Sequence, residues 1–110
     1  MTSSYQPPQS ATVGTADVAP YLADLTQRVL FGEVWEHPGL SKRDRSLVTL
    51  SVLTALYRTG QLPGHIQRGL ANGLTKEEIV EAMTHIGFYA GWPTAVNAIQ
   101  AAKETFAKLG

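Results

Sequence analysis

His65, His85, Arg43, Arg45, Glu33, Tyr89 and Trp92 are the residues of this chain whose types and spacing suit chemistry. Three of them stand in one stretch, HIGFYAGWPTAVNAI, where His85, Tyr89 and Trp92 surround a Gly-Trp-Pro break. A break between helices needs only Gly91 and Pro93, so the rings are either core or site. At helical spacing His85 falls on the flank of a stripe made by Ile79, Met83, Ile86 and Ala90. Its neighbours along the helix are Glu78, Glu81 and Tyr89. A histidine between an apolar face and carboxylates is partly desolvated and held in one tautomer, which suits a general acid or base. The same spacing also describes a boundary histidine satisfied by Glu81. His65 has two readings as well, a proton-transfer group or a core histidine bonded to a backbone carbonyl, with small Gly69 leaving room beside its ring. Arg43 and Arg45, at a helix start, suit reception of a carboxylate, or an ion pair with Asp44 or Glu36. Trp35 and Trp92 serve as packing anchors or as ligand platforms. The two histidines with Glu33 or Glu36 lack ligand spacing such as H-E-x-x-H, so no metal is expected.

The elements that must position these groups read as helices throughout. Residues 1–16 are rich in Ser, Thr, Pro and Gln and are expected to form a flexible arm, with a single helical domain over residues 17–110. A first helix is expected from an Asp17 cap, with Pro20 in its first turn, running toward Trp35 across a weak point at Gly32. Ser41 opens a second helix that is apolar on nearly every side and ends at Arg58-Thr59-Gly60. Leu62, Ile66 and Leu70 predict a third, short helix that carries His65 and stops at Gly73. Thr75 and Glu78 form a capping box for a fourth helix, from about Lys76 to Ala90. A fifth follows Pro93, with Ala95, Ala98, Ile99, Ala102, Phe106 and Leu109 along one face. No stretch alternates with period two, so the fold class is all-α.

Bulk numbers narrow the function classes. The 110 residues carry nine basic and nine acidic side chains, a formal net charge of zero, which gives no footprint for nucleic acid. Charged residues make up 16% of the chain, against about 25% in typical domains. Together with the all-round apolar second helix, that predicts self-association. Without cysteine there is no disulfide, thiolate metal site or thiol mechanism. The N-terminus lacks a basic and an apolar signal region, and no apolar run spans a bilayer, so a cytoplasmic protein without membrane partners is expected.

Three segments taken together resemble the carboxymuconolactone decarboxylase family: FGEVWEHPGLSKRDRSLVTLSVLTAL, HIQRGLANGLTKEEI and HIGFYAGWPTAVNAI, in the family's order and spacing over about residues 29–108. The resemblance implies an AhpD-like helical domain of about five to six helices that assembles as an obligate homo-oligomer, a hexamer or a trimer. The family's alkylhydroperoxidase branch uses a C-x-x-C pair before a histidine. Counted back from His65, those positions fall on Thr59 and Leu62, and that branch's glutamate falls on Ser46, so thiol peroxidase chemistry is excluded. The decarboxylase branch is what remains. It implies a cofactor-free lyase that removes carbon dioxide from 4-carboxymuconolactone or a similar unsaturated lactone acid in aromatic-compound degradation, within the β-ketoadipate pathway. The resemblance makes His65 and His85 the candidates for proton return and oxyanion donation, in an order left open. It makes Glu33 their orienting group, Arg45 and Arg43 the carboxylate receivers, and Tyr89 and Trp92 the pocket walls. A family enzyme with another small carboxylated substrate, and a catalytically silent helical oligomer that binds a ligand, stand beside this reading. Pro63 and Gly64 depart from the family's pattern before His65, with Pro63 suited to a first helical turn.

Overall fold

The computed structural model describes residues 15–110, and the expected arm lies, but for its last two residues, outside them. Among the described residues the ordered elements are helical, with no strand. The chain divides into two compact units, Met1–Lys42 and Arg43–Gly110.

In the first unit, α1 (Pro20–Leu25) starts two residues later than the Asp17 cap predicts. Ala19 occupies the cap without a side-chain bond, and Pro20 supplies the preset first turn. The helix does not break at Gly32. It widens into a π-wound segment, Thr26–Val34, closed by the Trp35 N–H donating to the Leu30 carbonyl at 2.9 Å, five residues back. Phe31 and Trp35 are buried, with ring centroids 6.0 Å apart.

The second unit holds α2 (Lys42–Ala55), α3 (Leu62–Ala71), α4 (Lys76–Ala90) and α5 (Trp92–Leu109). Its core joins Leu50 of α2, Leu62 and Ile66 of α3, Ile79 and Met83 of α4, and Ala98 and Ala102 of α5, with Leu74 from the α3–α4 turn. α5 packs against both α3 and α4. α2 buries one stripe, Ser46, Leu50 and Thr54. The second apolar stripe expected to be covered, Val48, Val52 and Leu56, is exposed in the single chain. On α4 the buried line is Ile79, Met83 and Gly87, so the expected stripe drifts by one residue at its end and Ala90 is exposed.

The helix ends follow local chemistry. After α2 the Arg58 N–H reaches the Leu53 carbonyl at 2.8 Å, and the Tyr57 N–H reaches Thr54 at 3.2 Å. That is a Schellman closure, one turn earlier than the Arg58-Thr59-Gly60 stop predicts. It places Tyr57, a residue with a Cβ, at φ +65°. Pro63 occupies the first turn of α3, so the chain approaches His65 as a regular helix. The Thr75–Glu78 capping box is present in full: the Glu78 N–H donates to Thr75 Oγ1 at 3.0 Å and the Thr75 N–H donates to Glu78 Oε1 at 2.9 Å. Gly91 both ends α4 and starts α5, at φ +119° and ψ +145°, where backbone with a side chain is strained.

Two substitutions of opposite sign test these ends. Gly91→Ala is expected to lower stability by about 1–3 kcal/mol, and Tyr57→Gly to raise it by about 1 kcal/mol. Urea unfolding of the two variants beside the parent chain measures both.

Candidate active site

α3 is the element that makes an unusual environment. Leu62 and Ile66 have no exposed surface, and they seat the helix in the core. A Cβ added at Gly69 would lie 3.0 Å from Leu74 and 3.3 Å from Leu50, so that glycine lets α3 approach its neighbours. The room beside Gly69 is therefore filled by aliphatic side chains and does not serve the His65 ring, contrary to the expectation from spacing. His65, in the first turns of the same helix, is half-buried. Burial pushes its imidazole down to about 4, and the positive charge of Arg68 acts in the same direction. At neutral pH the ring is therefore uncharged. It carries one N–H donor and one bare nitrogen.

Arg68 is the residue that reading the sequence missed. It lies one helical turn after His65 and is only 4% exposed, although its guanidinium stays charged at any working pH. The available signal was its spacing, i+3 from His65 on a ten-residue helix whose other positions are mostly apolar or small.

The other candidates divide into two groups. Arg43 is half-buried and engaged: its guanidinium meets Glu78 through Nη2 and Asp44 through Nη1, the latter at 3.2 Å. It ties the start of α2 to the capping box of α4. The Thr75 N–H, and after it the charge of Arg43, hold the Glu78 carboxyl below the usual carboxylate range. Arg45 is half-buried on α2, one residue before buried Ser46. Glu33 is exposed on the π-wound segment.

His85, Tyr89 and Trp92 lie at the corner where α4 meets α5. The His85 and Tyr89 rings are 5.1 Å apart, and Phe88 meets Trp92 edge to face at 5.7 Å. The corner points outward: Tyr89 is 82% exposed, Phe88 72% and Trp92 63%. In the single chain these rings are an aromatic surface and not the wall of an enclosed pocket. A cavity of about 440 Å³ lies elsewhere, lined by Thr59, Pro63, Gln67, Asn97, Glu104 and Lys108 among others, and holds none of the predicted site residues. Among the described residues no cluster of three His, Asp or Glu side chains has the arrangement of a metal site. No helix among them is long and apolar enough to cross a membrane.

This all-helical chain belongs to a known class. The profile of the carboxymuconolactone decarboxylase family matches residues 20–104, and the chain is a member of that family. It is similar to the 4-carboxymuconolactone decarboxylase of Acinetobacter baylyi, with 45% identity over 83 residues, covering 76% of this chain and 62% of the relative. The nitrosuccinic acid decarboxylase npaB of Metarhizium robertsii is 35% identical over 75 residues, covering 68% of this chain and 52% of the relative. An uncharacterized 15.0 kDa protein of Paracoccus denitrificans, encoded in the nqo9-nqo10 intergenic region, is 29% identical over 80 residues, covering 71% of this chain and 60% of the relative. The matched segments thus span between half and two thirds of the length of these relatives.

The state of His65 has a consequence for folding. Its proton affinity is lowered in the folded chain, so the unfolded chain binds the extra proton between the two titrations. Stability is then complete above about pH 6.5 and falls as the pH drops toward about 4. Allowing for solvent at the ring's open edge, the expected loss is roughly 1–2 kcal/mol. His65→Gln should remove that share of the slope, read from urea midpoints measured between pH 7 and pH 4.

Proposed function

We propose that this chain is a cofactor-independent carboxy-lyase acting on 4-carboxymuconolactone or a similar unsaturated lactone acid. The observation that carries the reading is a half-buried, neutral His65 on α3 in a chain 45% identical to a 4-carboxymuconolactone decarboxylase. In that substrate the carbon losing its carboxylate is conjugated through the ring alkene to the lactone carbonyl. The carbon–carboxylate bond breaks, carbon dioxide leaves, and the electron pair moves onto the carbonyl oxygen as a dienolate. A proton from an acid then bonds to carbon, and water reprotonates that acid.

The environment of His65 supports one order for the two histidine roles left open by the sequence. A ring titrating near 4 is a poor store of a proton at neutral pH, but its N–H is a good neutral donor to a developing oxyanion. His65 is accordingly the oxyanion donor, and proton return falls to His85. Arg45 and Arg43, at the start of α2, receive the substrate carboxylates, and Arg43 is also held by Glu78 and Asp44.

The exposed aromatic corner and the open Val48, Val52 and Leu56 stripe support assembly as a homo-oligomer, a trimer or a hexamer. In that assembly Tyr89 and Trp92 line the pocket from a neighbouring copy's side. A cytoplasmic location fits this reading.

A second substrate class is favoured by the similarity to a nitrosuccinic acid decarboxylase. There too a carboxylate leaves a carbon whose electrons drain to oxygen, in that case the oxygens of a nitro group. The shared requirement is an oxyanion held in a dry site.

Turnover decides between these readings. With 4-carboxymuconolactone generated in situ, the parent chain should consume it, and His65→Ala and His85→Ala should each lower kcat by about 10²–10⁴-fold. A folded parent chain that leaves the lactone untouched but decarboxylates nitrosuccinate would move the assignment to the second class. Light scattering tests the assembly, and a stable monomer of 11.9 kDa would refute it.

A further inference from the structure

We propose that the groove between α3 and α5 is a second binding site, and that it takes a small zwitterion whose ammonium and carboxylate stand about one helical turn apart. Pro63 and Gln67 line the groove from one face of α3. At ~100° per residue His65 lies on the opposite face of that helix. The inference therefore goes beyond the lyase reading and stands without it.

Three features carry it. The first is space. The groove holds about 440 Å³, within the roughly 300–1,000 Å³ of small-molecule sites. Its least exposed lining residues are Pro63, Ala101 and Thr105. Thr105 is 4% exposed. Its hydroxyl donates to the Ala101 carbonyl at 2.8 Å, which leaves its lone pairs to accept from a ligand. The second feature is a set of uncommitted carboxamides, Gln67 on α3 with Asn97 and Gln100 on α5. Among the described residues none of the three makes a side-chain hydrogen bond. A carboxamide both donates and accepts, so the three suit an amide or hydroxyl in the middle of a ligand.

The third feature is charge. Glu104 and Lys108 are the charged lining residues, one turn apart on α5 and in the order that favours pairing. Among the described residues no ion pair joins them to each other or to a third group. Each is left to meet an opposite charge brought by a ligand. Side chains at this spacing stand about 5–6 Å apart at Cβ, a separation that the two ends of a short zwitterion can match. The two charges cancel, so a molecule with carboxylates alone loses at Glu104 what it gains at Lys108. The groove thus discriminates against the lactone acid of the proposed reaction. Both residues are exposed, so each charge acts weakly and the expected affinity is millimolar.

Glycylglycine is the probe, a zwitterion with an amide between its charged ends. N-acetylglycylglycine removes its ammonium, and glycylglycinamide removes its carboxylate. In the parent chain glycylglycine should move the side-chain NH₂ resonances of Gln67, Asn97 and Gln100 to a plateau. Each single-charge analogue should bind about threefold more weakly or worse, a comparison that needs no variant to fold. Glu104→Gln should then abolish the preference over N-acetylglycylglycine alone, and Lys108→Gln the preference over glycylglycinamide alone. Equal binding of the three probes, a preference that survives in its matching variant, or carboxamide resonances that stay in place would overturn the proposal. Resonances that move with chain concentration and not with glycylglycine would overturn it too, and would place a second copy over the groove. Lactone turnover by the parent chain is measured separately, so failure of this site leaves the lyase reading intact.

Discussion

The burial of α3 is the constraint on which the rest of the second unit depends. A ten-residue helix is too short to be stable alone, and its two aliphatic anchors, Leu62 and Ile66, are withdrawn from solvent completely. Gly69 lets the helix sink against Leu50 and Leu74, where any side chain would hold it away. Once α3 is seated, His65 and Arg68 are carried into low dielectric by the backbone. The lowered proton affinity of His65 is a consequence of packing, and the neutral ring follows from it.

The polar residues around the helix starts divide the structural work from the chemical work. Arg43, Glu78 and Thr75 form one connected group that joins the start of α2 to the start of α4. Asn72, at the end of α3, donates through Nδ2 to buried Ser46 of α2 at 3.0 Å. These bonds satisfy helix ends and buried hydroxyls, and they leave Arg43 committed. Arg68 differs from Arg43 and Arg45 in environment more than in chemistry: those two are half-buried, and Arg68 is dry. Depth thus gives Arg68 a different electrostatic weight from Arg43 and Arg45 in the same small unit.

The aromatic corner has the opposite character. His85, Phe88, Tyr89 and Trp92 pair with each other along α4 and into α5, yet stay largely exposed. Their placement follows from Gly91, whose backbone angles let α5 start directly after α4 ends. Helical spacing forces this: Met83 and Gly87 face α5, so residues 85, 88 and 89 must face away from it. Rings of this size on a surface with few charges are suited to contact with another molecule.

Much of this was legible from residues alone. The all-α class, the Thr75–Glu78 capping box, the stop at Gly73 and the break at Gly91 are local matters of hydrogen bonding and backbone freedom, and the sequence by itself determined them. The family too was readable, because its segments recur in order. The widening of the first helix into a π-wound segment, and the closure of α2 at Tyr57 in place of Gly60, were not readable. Both depend on which carbonyl an N–H finally reaches, and a difference of one residue costs little locally. Burial of Arg68 was hidden for a stronger reason. Spacing places a side chain on a face of its helix, but only the packing of the other helices says whether that face meets water. The tertiary structure alone therefore decided that the His65 ring is desolvated and that Arg68 is dry, because desolvation belongs to the assembled surroundings and not to the residue.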